Sequence, residues 1–346
     1  MIIDTHCHYT TEPQALHTFR DKQLAGLADP ARRPATTDLG ITDEVLLKSV
    51  EPQLALQKQR GSDLMIFSPR AAGMAHHIGT EATSRQWTTL SNDLIHRIAT
   101  LLPDRFAAVG QLPQSPGVPP ANCLAEIDRL AALGFVGVNL NPDPSGGRWT
   151  EPPLTDRYWY PVYEKLCELD LPATIHVSSS CNPNFHHTGA HYINADTTAF
   201  MQLIQGDLFT DFPALRLIIP HGGGAAPFHW GRYRGLCLSL KKAKLVDHVM
   251  TNVFFDTCVY HLPGIELLTT VVPAENILFA SELLGAVPGV DPETGHHFDD
   301  TKRYLDQVGS LTDRQRYMIF EGNARRVYPR LDAMLTERGR PGRAGQ

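Results

Sequence analysis

Two histidines placed two positions apart are the first residues in the chain whose types and spacing could do chemistry. His6 and His8 lie in the apolar opening stretch "MIIDTHCHY". Side chains at positions i and i+2 of a strand point to the same side, so both imidazoles could bind one metal ion. Taken alone, the pair fits two hydrogen-bonded strand histidines at least as well, so other ligands must be found.

Three later apolar runs also end in side chains that bind metals or carry protons. His176, His221 and Glu282 each stand at such an end, and three glycines follow His221. In a parallel barrel all strand ends of this kind meet at one face. We therefore predict His6, His8, His176 and Glu282 as metal ligands. This nitrogen-rich set favours Zn²⁺ over Mn²⁺ or Fe²⁺ and leaves one position for water.

His221 has a separate predicted role, because four ligands are already assigned. An imidazole with a pKa near about 6.5 can hold or give a proton at neutral pH, so we predict general acid/base catalysis beside the metal. The alternative is that His221 supports a metal ligand through a hydrogen bond.

Four further residues are candidates for substrate contacts. Arg70 follows the second apolar run in "SPRAAGMAHH", and a guanidinium there suits a carboxylate substrate. Lys48 lies in the long segment after the first run, and Tyr192 lies in a polar loop after His176. His76 is the member of the two histidine doublets that we favour for binding. For Lys48 a solvated surface charge is the alternative, and for Tyr192 it is packing within the loop.

The elements that must position these residues repeat eight times along the chain. Short apolar runs alternate with amphipathic stretches of helix length, which is typical of βα units around a parallel sheet. We predict a (β/α)8 barrel, with helices that include 90–101, 121–133, 156–169 and 312–320. Asp156 and Thr312 are the expected N-caps of the last two, and Gly134 the expected C-cap of the second. The predicted strands are 2–8, 64–68, 106–112, 135–141, 173–177, 215–221, 253–257 and 277–282.

The remaining segments and the composition bound the molecule. Residues 9–61 are too long and too rich in helix formers for a plain connection, so we predict a helical insertion near the barrel mouth within one domain over 1–336. Residues 337–346 are expected to form a disordered tail. The net charge is −6 without blocks of like charge, which argues against nucleic acid or an anionic membrane as partner. The opening residues contain no targeting pattern, so we expect a cytoplasmic protein.

Several motifs resemble the amidohydrolase superfamily, in particular its branch of aminocarboxymuconate semialdehyde decarboxylase and related metal-dependent lyases. The matching stretches are "IIDTHCHY", "IHVS", "IIPHGGG" and "EGNARRVY". The resemblance implies a TIM barrel, one divalent metal ion and small anionic substrates. It also implies the ligand set named above, a proton-transfer role for His221, and substrate contacts by Arg70, Lys48 and Tyr192.

The eighth strand departs from this pattern. Most relatives carry an aspartate there, whereas this chain has Ala280-Ser281-Glu282. The stretches "FASELLGA" and "SPRAAGMAHHIG" resemble a hydratase of the superfamily that adds water to an unsaturated tricarboxylate in protocatechuate breakdown. A decarboxylase or amidohydrolase acting on a small carboxylate is the alternative, and a non-enzymatic metal-binding barrel is a further one. A homodimer is a possible assembly.

Overall fold

Eight parallel strands form the centre of the molecule in the computed structural model, which describes residues 1–285 and 287–342. Each strand pairs with the next one along the chain. The strands are Ile3–Tyr9 (β1), Leu64–Pro69 (β2), Phe106–Gln111 (β3), Gly137–Leu140 (β4), Ala173–Ile175 (β5), Leu217–Ile219 (β6), Val253–Asp256 (β7) and Ile277–Leu278 (β8).

Hydrogen bonds between the first and last of these segments close the sheet. The N–H of Thr5 donates to the carbonyl of Phe279 at 2.9 Å, and the N–H of Glu282 donates to the carbonyl of His6 at 2.8 Å. Each strand is joined to the next through at least one helix. The predicted (β/α)8 barrel is therefore confirmed.

Helices surround the barrel and close its amino end. They are Gln14–Ala28 (α1), Asp43–Arg60 (α2), Ala71–Met74 (α3), Glu81–Leu101 (α4), Leu124–Ala132 (α5), Tyr160–Glu168 (α6), Gly189–Gln205 (α7), Leu208–Asp211 (α8), Trp230–Ser239 (α9), Leu245–His248 (α10), Leu262–Val271 (α11), Thr301–Gln307 (α12), Asp313–Tyr317 (α13), Asn323–Val327 (α14) and Pro329–Glu337 (α15).

The predicted helix caps agree with the structure. Thr312 and Gln315 form a reciprocal capping box at the start of α13. Asp156 accepts from the N–H of Tyr158 at 2.8 Å, at the start of the short 3₁₀ helix Arg157–Trp159 that leads into α6. Gly134 follows α5 with φ +84°, a left-handed conformation that glycine adopts without strain.

The connection between β1 and β2 is helical, as the composition of 9–61 predicted. It contains α1 and α2. Arg20 of α1 donates to the carbonyl of Met74 at 3.1 Å, so α1 lies beside the chain that leaves the carboxyl end of β2. One domain over 1–336 stays a prediction. Of the predicted tail 337–346, residues 343–346 lie outside the described residues.

Several strands are shorter than predicted, most clearly β6 and β8. His221 and Glu282 have φ values of +51° and +53°, which no strand residue adopts. Side chains replace the strand ladder beyond Leu278, since the N–H of Ala280 donates to the Thr257 hydroxyl and the N–H of Ser281 to the Asp4 carboxylate. Both candidate residues therefore stand just past the strands rather than on them.

Two layers of apolar side chains hold the barrel in place. Outward-facing strand residues such as Phe67 and Phe255 pack with the surrounding helices. Residues near the strand starts, including Ile3 and Phe254, pack with Leu331 of α15 in a second cluster. No helix in the described part of the chain is both long and apolar enough to span a bilayer.

Candidate active site

Three histidine side chains converge at the carboxyl end of the barrel. His6 and His8 lie on β1, and His176 follows the last residue of β5. The Nε2 atoms of His6 and His8 are 3.0 Å apart, and those of His8 and His176 are 3.2 Å apart. All three side chains are buried. The structure therefore brings these predicted ligands to one point.

An irregularity in β1 decides which of its residues face that point. The pairing register between β1 and β2 shifts between Asp4 and Cys7. Strict alternation would put Ile3 and Cys7 on the same face of the strand. Ile3, however, packs in the cluster that contains Leu331, whereas Cys7 packs in the cluster between the strands and the surrounding helices. A bulge of this kind turns the following residues over. It allows His6 and His8 to face the interior while Cys7 packs outside.

The tautomers of His6 and His176 follow from the atoms that bind their other ring nitrogen. Nδ1 of His6 lies 2.8 Å from the Asp256 carboxylate, and Nδ1 of His176 lies 2.8 Å from the carbonyl of Val177. A carbonyl oxygen and an ionised carboxylate can accept a hydrogen bond but cannot donate one. Each Nδ1 therefore carries the hydrogen. Nε2 is therefore the ring nitrogen that each of these histidines can offer to a metal ion.

His8 reaches the same state through a hydroxyl group. Its Nδ1 is 2.9 Å from the Ser68 hydroxyl, which itself donates to the carbonyl of Pro69 at 3.3 Å. Because the hydroxyl hydrogen of Ser68 is directed to that carbonyl, the Ser68 oxygen accepts a hydrogen bond from Nδ1 of His8. The Nε2 atom of His8 is therefore also a lone-pair donor facing the other two.

The electrostatics of this cluster fit a bound cation. Burial, together with the charge of neighbouring histidines, holds the pKa of His8 and of His176 well below the usual 6.5, so both rings are neutral. Nitrogen lone pairs that face one another at about 3 Å repel unless a positive ion lies among them. Three imidazole nitrogens with their outer nitrogens held in place are the arrangement that zinc sites use.

Glu282 brings a carboxylate to the same point. It is 2 % exposed, and its backbone N–H is held by the carbonyl of His6. Ligand atoms of His6, His176, His221 and Glu282 all lie within 4.8 Å of one another. The Oε2 atom of Glu282 accepts a hydrogen bond from the Tyr260 hydroxyl at 2.9 Å. A negative charge thus completes a donor set suited to a divalent ion.

His221 differs from the other histidines in its charge. Its Nδ1 donates to the Asp196 carboxylate at 2.8 Å, and its Nε2 lies 3.7 Å from Oε2 of Glu282. Burial alone would lower the pKa of His221, but the charge and hydrogen bond of Asp196, with smaller contributions from Glu282 and Asp256, raise it to about 9. His221 is therefore the histidine of this cluster best able to carry a proton at neutral pH.

A small cavity opens beside these groups. Its volume is about 70 Å³, and Thr10, Arg70, Tyr192 and Glu282 contribute to its lining. The hydroxyls of Thr10 and Tyr192 are buried and have no hydrogen-bond partner among residues 1–285 and 287–342. Arg70 forms no ion pair with any described residue. The cavity thus offers one unpaired cation and two free hydroxyls to an anionic ligand.

Comparison with known proteins places the chain in a family. The amidohydrolase family model matches residues 3–330, which is nearly the whole chain. The chain belongs to the amidohydrolase family. The predicted resemblance to that superfamily is thus confirmed, and the histidines and Glu282 stand at the carboxyl end of an amidohydrolase barrel.

Two similar amidohydrolases carry hydratase names. The chain is 56 % identical to the 2-keto-4-carboxy-3-hexenedioate hydratase of Sphingobium sp. (strain NBRC 103272 / SYK-6), over 98 % of this chain and 99 % of that protein. It is 55 % identical to the 4-oxalomesaconate hydratase of Rhodopseudomonas palustris, whose crystal structure superposes with a TM-score of 0.92 over 98 % of this chain and 99 % of that one.

A third similar structure shares the fold at much lower identity. The 5-carboxyvanillate decarboxylase of Sphingomonas paucimobilis matches with a TM-score of 0.69 at 20 % identity, over 95 % of this chain and 98 % of that one. At that level the likeness supports the barrel architecture.

Two predicted substrate contacts of this amidohydrolase do not reach the cavity. Lys48 is exposed on α2 and does not line it. His76 is buried, with Nε2 at 3.1 Å from the carbonyl of Leu112 and Nδ1 at 3.0 Å from the amide nitrogen of Asn141. Both of its ring nitrogens are thus occupied by protein groups.

The sequence analysis missed three residues that hold the site together. Asp256 is the last residue of β7 and supports His6, so the strand-end argument that found His176 could also have found it. Asp196 lies inside α7, and Tyr260 in the loop after β7. Asp196 contacts His221 and Tyr260 contacts Glu282, and each contact joins residues that are not neighbours in the sequence. No local sequence pattern predicts either contact.

Proposed function

We propose that the protein is a metal-dependent hydratase that adds water to 4-oxalomesaconate or to its double-bond isomer 2-keto-4-carboxy-3-hexenedioate. The product would be 4-carboxy-4-hydroxy-2-oxoadipate, as in the breakdown of protocatechuate. The observation that carries the proposal is the near-full-length identity of 56 % to a 2-keto-4-carboxy-3-hexenedioate hydratase, in a chain whose strand ends bring histidines and Glu282 into one group that could hold a metal ion.

The ion belongs among His6, His8, His176 and Glu282. We favour Zn²⁺ because the neutral imidazole nitrogens outnumber the carboxylate, with Mn²⁺ or Fe²⁺ as alternatives. A divalent ion held there would lower the pKa of a coordinated water to about 7.

The reaction needs an oxygen on one carbon and a proton on its neighbour. In 2-keto-4-carboxy-3-hexenedioate the double bond between C3 and C4 is conjugated with the ketone at C2, so a nucleophile adds at C4 and the electron pair moves toward the ketone oxygen. Glu282 is placed to accept the proton that the attacking water loses. Carbon C3 must then gain one proton, which restores the ketone.

His221 is the group that we assign to that second proton. Asp196 fixes the ring by accepting from Nδ1, so the proton to be moved is held on Nε2. Nε2 faces Glu282 at 3.7 Å and has no hydrogen-bond partner among the described residues. The proton taken up by Glu282 can return to His221 over this short path, so one turnover leaves both residues as they began.

Three carboxylates on the substrate need positive and hydroxyl partners. Arg70 lines the cavity without an ion pair among the described residues, and a bidentate guanidinium contact is the strongest available there. Tyr192 and Thr10 supply the free hydroxyls. We rank Lys48 and His76 below these three contacts, because neither lines the cavity and a substrate contact by either requires movement from its present place.

The test is direct turnover by the metal-loaded protein. Mixed with either isomer, it should remove the absorbance of the unsaturated oxo-acid, and proton NMR should show that a methylene replaces the vinyl proton. Release of CO₂ would favour the decarboxylase alternative, and an unchanged spectrum would contradict the hydratase. Heat-treated protein and the Glu282→Gln variant serve as controls.

Three finer predictions accompany this proposal. Elemental analysis of protein purified without added metal should find about one zinc ion per chain. We also propose a cytoplasmic location and a homodimer. Cell fractionation measures the first of these, and light scattering on the purified protein measures the second.

A further inference from the structure

Tyr260 touches the residue on which the proposed reaction depends. Its hydroxyl donates to Oε2 of Glu282 at 2.9 Å, and the phenol is the only hydrogen-bond donor to that carboxylate within residues 1–285 and 287–342. Oε2 is also the oxygen that faces Nε2 of His221 at 3.7 Å. One hydrogen bond therefore fixes which carboxylate oxygen is turned toward His221.

The backbone around Tyr260 is held in an unusual conformation. Tyr260 has φ +65°, and His221 and Glu282 have φ +51° and +53°. A positive φ is uncommon for any residue except glycine, and such residues collect at functional sites because the surrounding structure must impose them. These three follow β6, β7 and β8, so three neighbouring loops adopt the same strained form where they meet.

The segment that carries Tyr260 also supports a second ligand. Asp256, four residues earlier, accepts from Nδ1 of His6 at 2.8 Å and from the N–H groups of Gly222 and Cys258 at 3.2 and 3.0 Å. The end of β7 and the short loop after it thus support two of the predicted ligands, His6 through Asp256 and Glu282 through Tyr260. Hydrogen bonds of this kind orient ligands and tune the affinity of the site.

We propose that Tyr260 is a positioning residue that orients the Glu282 carboxylate for metal binding and for proton transfer. The phenol does not line the cavity, so it acts through Glu282 rather than on the substrate. This inference builds on the proposed function, but its effect on metal affinity does not depend on which substrate is turned over.

The experiment compares Tyr260→Phe with Tyr163→Phe. Tyr163 is a buried tyrosine whose hydroxyl donates to the carbonyl of Leu154 at 2.7 Å, remote from the ligands, so it controls for the loss of any tyrosine hydrogen bond. Both substitutions keep the aromatic ring, and thermal unfolding verifies that each variant folds. Metal affinity is measured by competition with a coloured chelator, and kcat and KM are measured separately.

We expect Tyr260→Phe to weaken metal binding about 10- to 100-fold, the usual effect of removing a group that holds a ligand. It should lower kcat while KM changes by less than about threefold, because the lost contact is not with the substrate. Tyr163→Phe should change neither quantity. Wild-type metal affinity in Tyr260→Phe, or a loss of equal size in both variants, would overturn the proposal.

A double-mutant cycle separates positioning of Glu282 from a general effect on the loop. In a Glu282→Gln background, Tyr260→Phe should cost clearly less metal affinity than in the wild type, because the oriented carboxylate is already absent. An undiminished loss in that background would show that Tyr260 acts elsewhere. If the wild type fails to hydrate the substrate, the proposed function fails while the metal measurements still decide the role of Tyr260.

Discussion

The two ends of the barrel are built from the same strands but differ in almost every physical respect. At the carboxyl end, buried histidines and Glu282 face one another, and the backbone at His221 and Glu282 is left-handed. At the amino end, apolar residues such as Ile3 and Phe254 pack against Leu331. The carboxyl end therefore contains buried ionisable groups and an unfavourable backbone conformation, whereas the amino end contains closely packed apolar side chains.

Charged groups at the two ends also differ in whether they have a partner of opposite charge. The amino group of Met1 pairs with Glu321 at 2.8 Å, and Arg325 pairs with both Glu321 and Asp332 at 2.8 Å. Each of these charges has a partner of opposite sign. At the carboxyl end Arg70 has none among the described residues, and the hydroxyls of Thr10 and Tyr192 are unpartnered. Unmet binding capacity therefore marks the end that does chemistry.

The comparison teaches how one strand serves both purposes. Ile3, near the start of β1, contributes to the amino-end cluster, whereas His6 and His8, nearer its end, contribute to the candidate active site. In such barrels the packed side chains at the amino end contribute to stability, and the loops at the carboxyl end carry the functional residues. Substitutions at the two ends should therefore fail in different ways.

The largest expected effect is on catalysis at the carboxyl end. Glu282→Gln should keep the fold but lower turnover by at least about a hundredfold, because the amide cannot accept the proton from water. Steady-state kinetics with 4-oxalomesaconate measure this loss. Glu321→Gln is the matched control at the other end, and it should leave kcat within about twofold. Near-normal hydration by Glu282→Gln would remove the role assigned to this carboxylate.

The second effect is on stability at the amino end. Leu331 is fully buried, and Leu331→Ala should lower the free energy of unfolding by about 2–5 kcal/mol through lost burial and the cavity left behind. Chemical denaturation of the metal-loaded protein measures this change. At temperatures where the variant is folded, kcat and KM should match the wild type. A large change in kcat would mean that the two ends are coupled.

The third effect compares two cations near the carboxyl end. Arg70→Met should raise KM about 10- to 100-fold, because a charged hydrogen bond contributes about 1.5–3 kcal/mol. Lys48→Met should change KM by less than about threefold, since Lys48 is exposed and outside the cavity lining. Steady-state kinetics on both variants decide the matter. An equal rise in KM for both variants would mean that Lys48 contacts the substrate in the complex.

The smallest effect is a pH dependence that belongs to neither end. Burial lowers the pKa of His76 to about 4, below the 6.5 of an unfolded chain. Between pH 6.5 and 4 the unfolded chain therefore binds a proton that the folded chain does not, so the free energy of unfolding falls as the pH is lowered, by about 1.4 kcal/mol per pH unit. Denaturation at several pH values should show a shallower decline for His76→Gln. Identical slopes would mean that His76 is not buried and neutral.

The sequence allowed much of the fold to be predicted for a physical reason. Strands that are buried on both faces read as continuous apolar runs, so all eight were located, and Thr312 and Gly134 were recognised as helix caps from local chemistry. The strand ends were less predictable. The left-handed backbone at His221 and Glu282 depends on contacts with distant segments, which no local sequence pattern reveals.

What the sequence by itself determined is the set of candidate residues, namely His6, His8, His176, His221 and Glu282, each at or near the end of an apolar run in a repeating βα chain. What only the tertiary structure decided is how these groups are supported. The bulge in β1, the contact of Asp196 with His221 and that of Tyr260 with Glu282 all join segments separated along the chain. Periodicity reports local geometry, whereas a hydrogen bond between remote segments exists only once the barrel has closed.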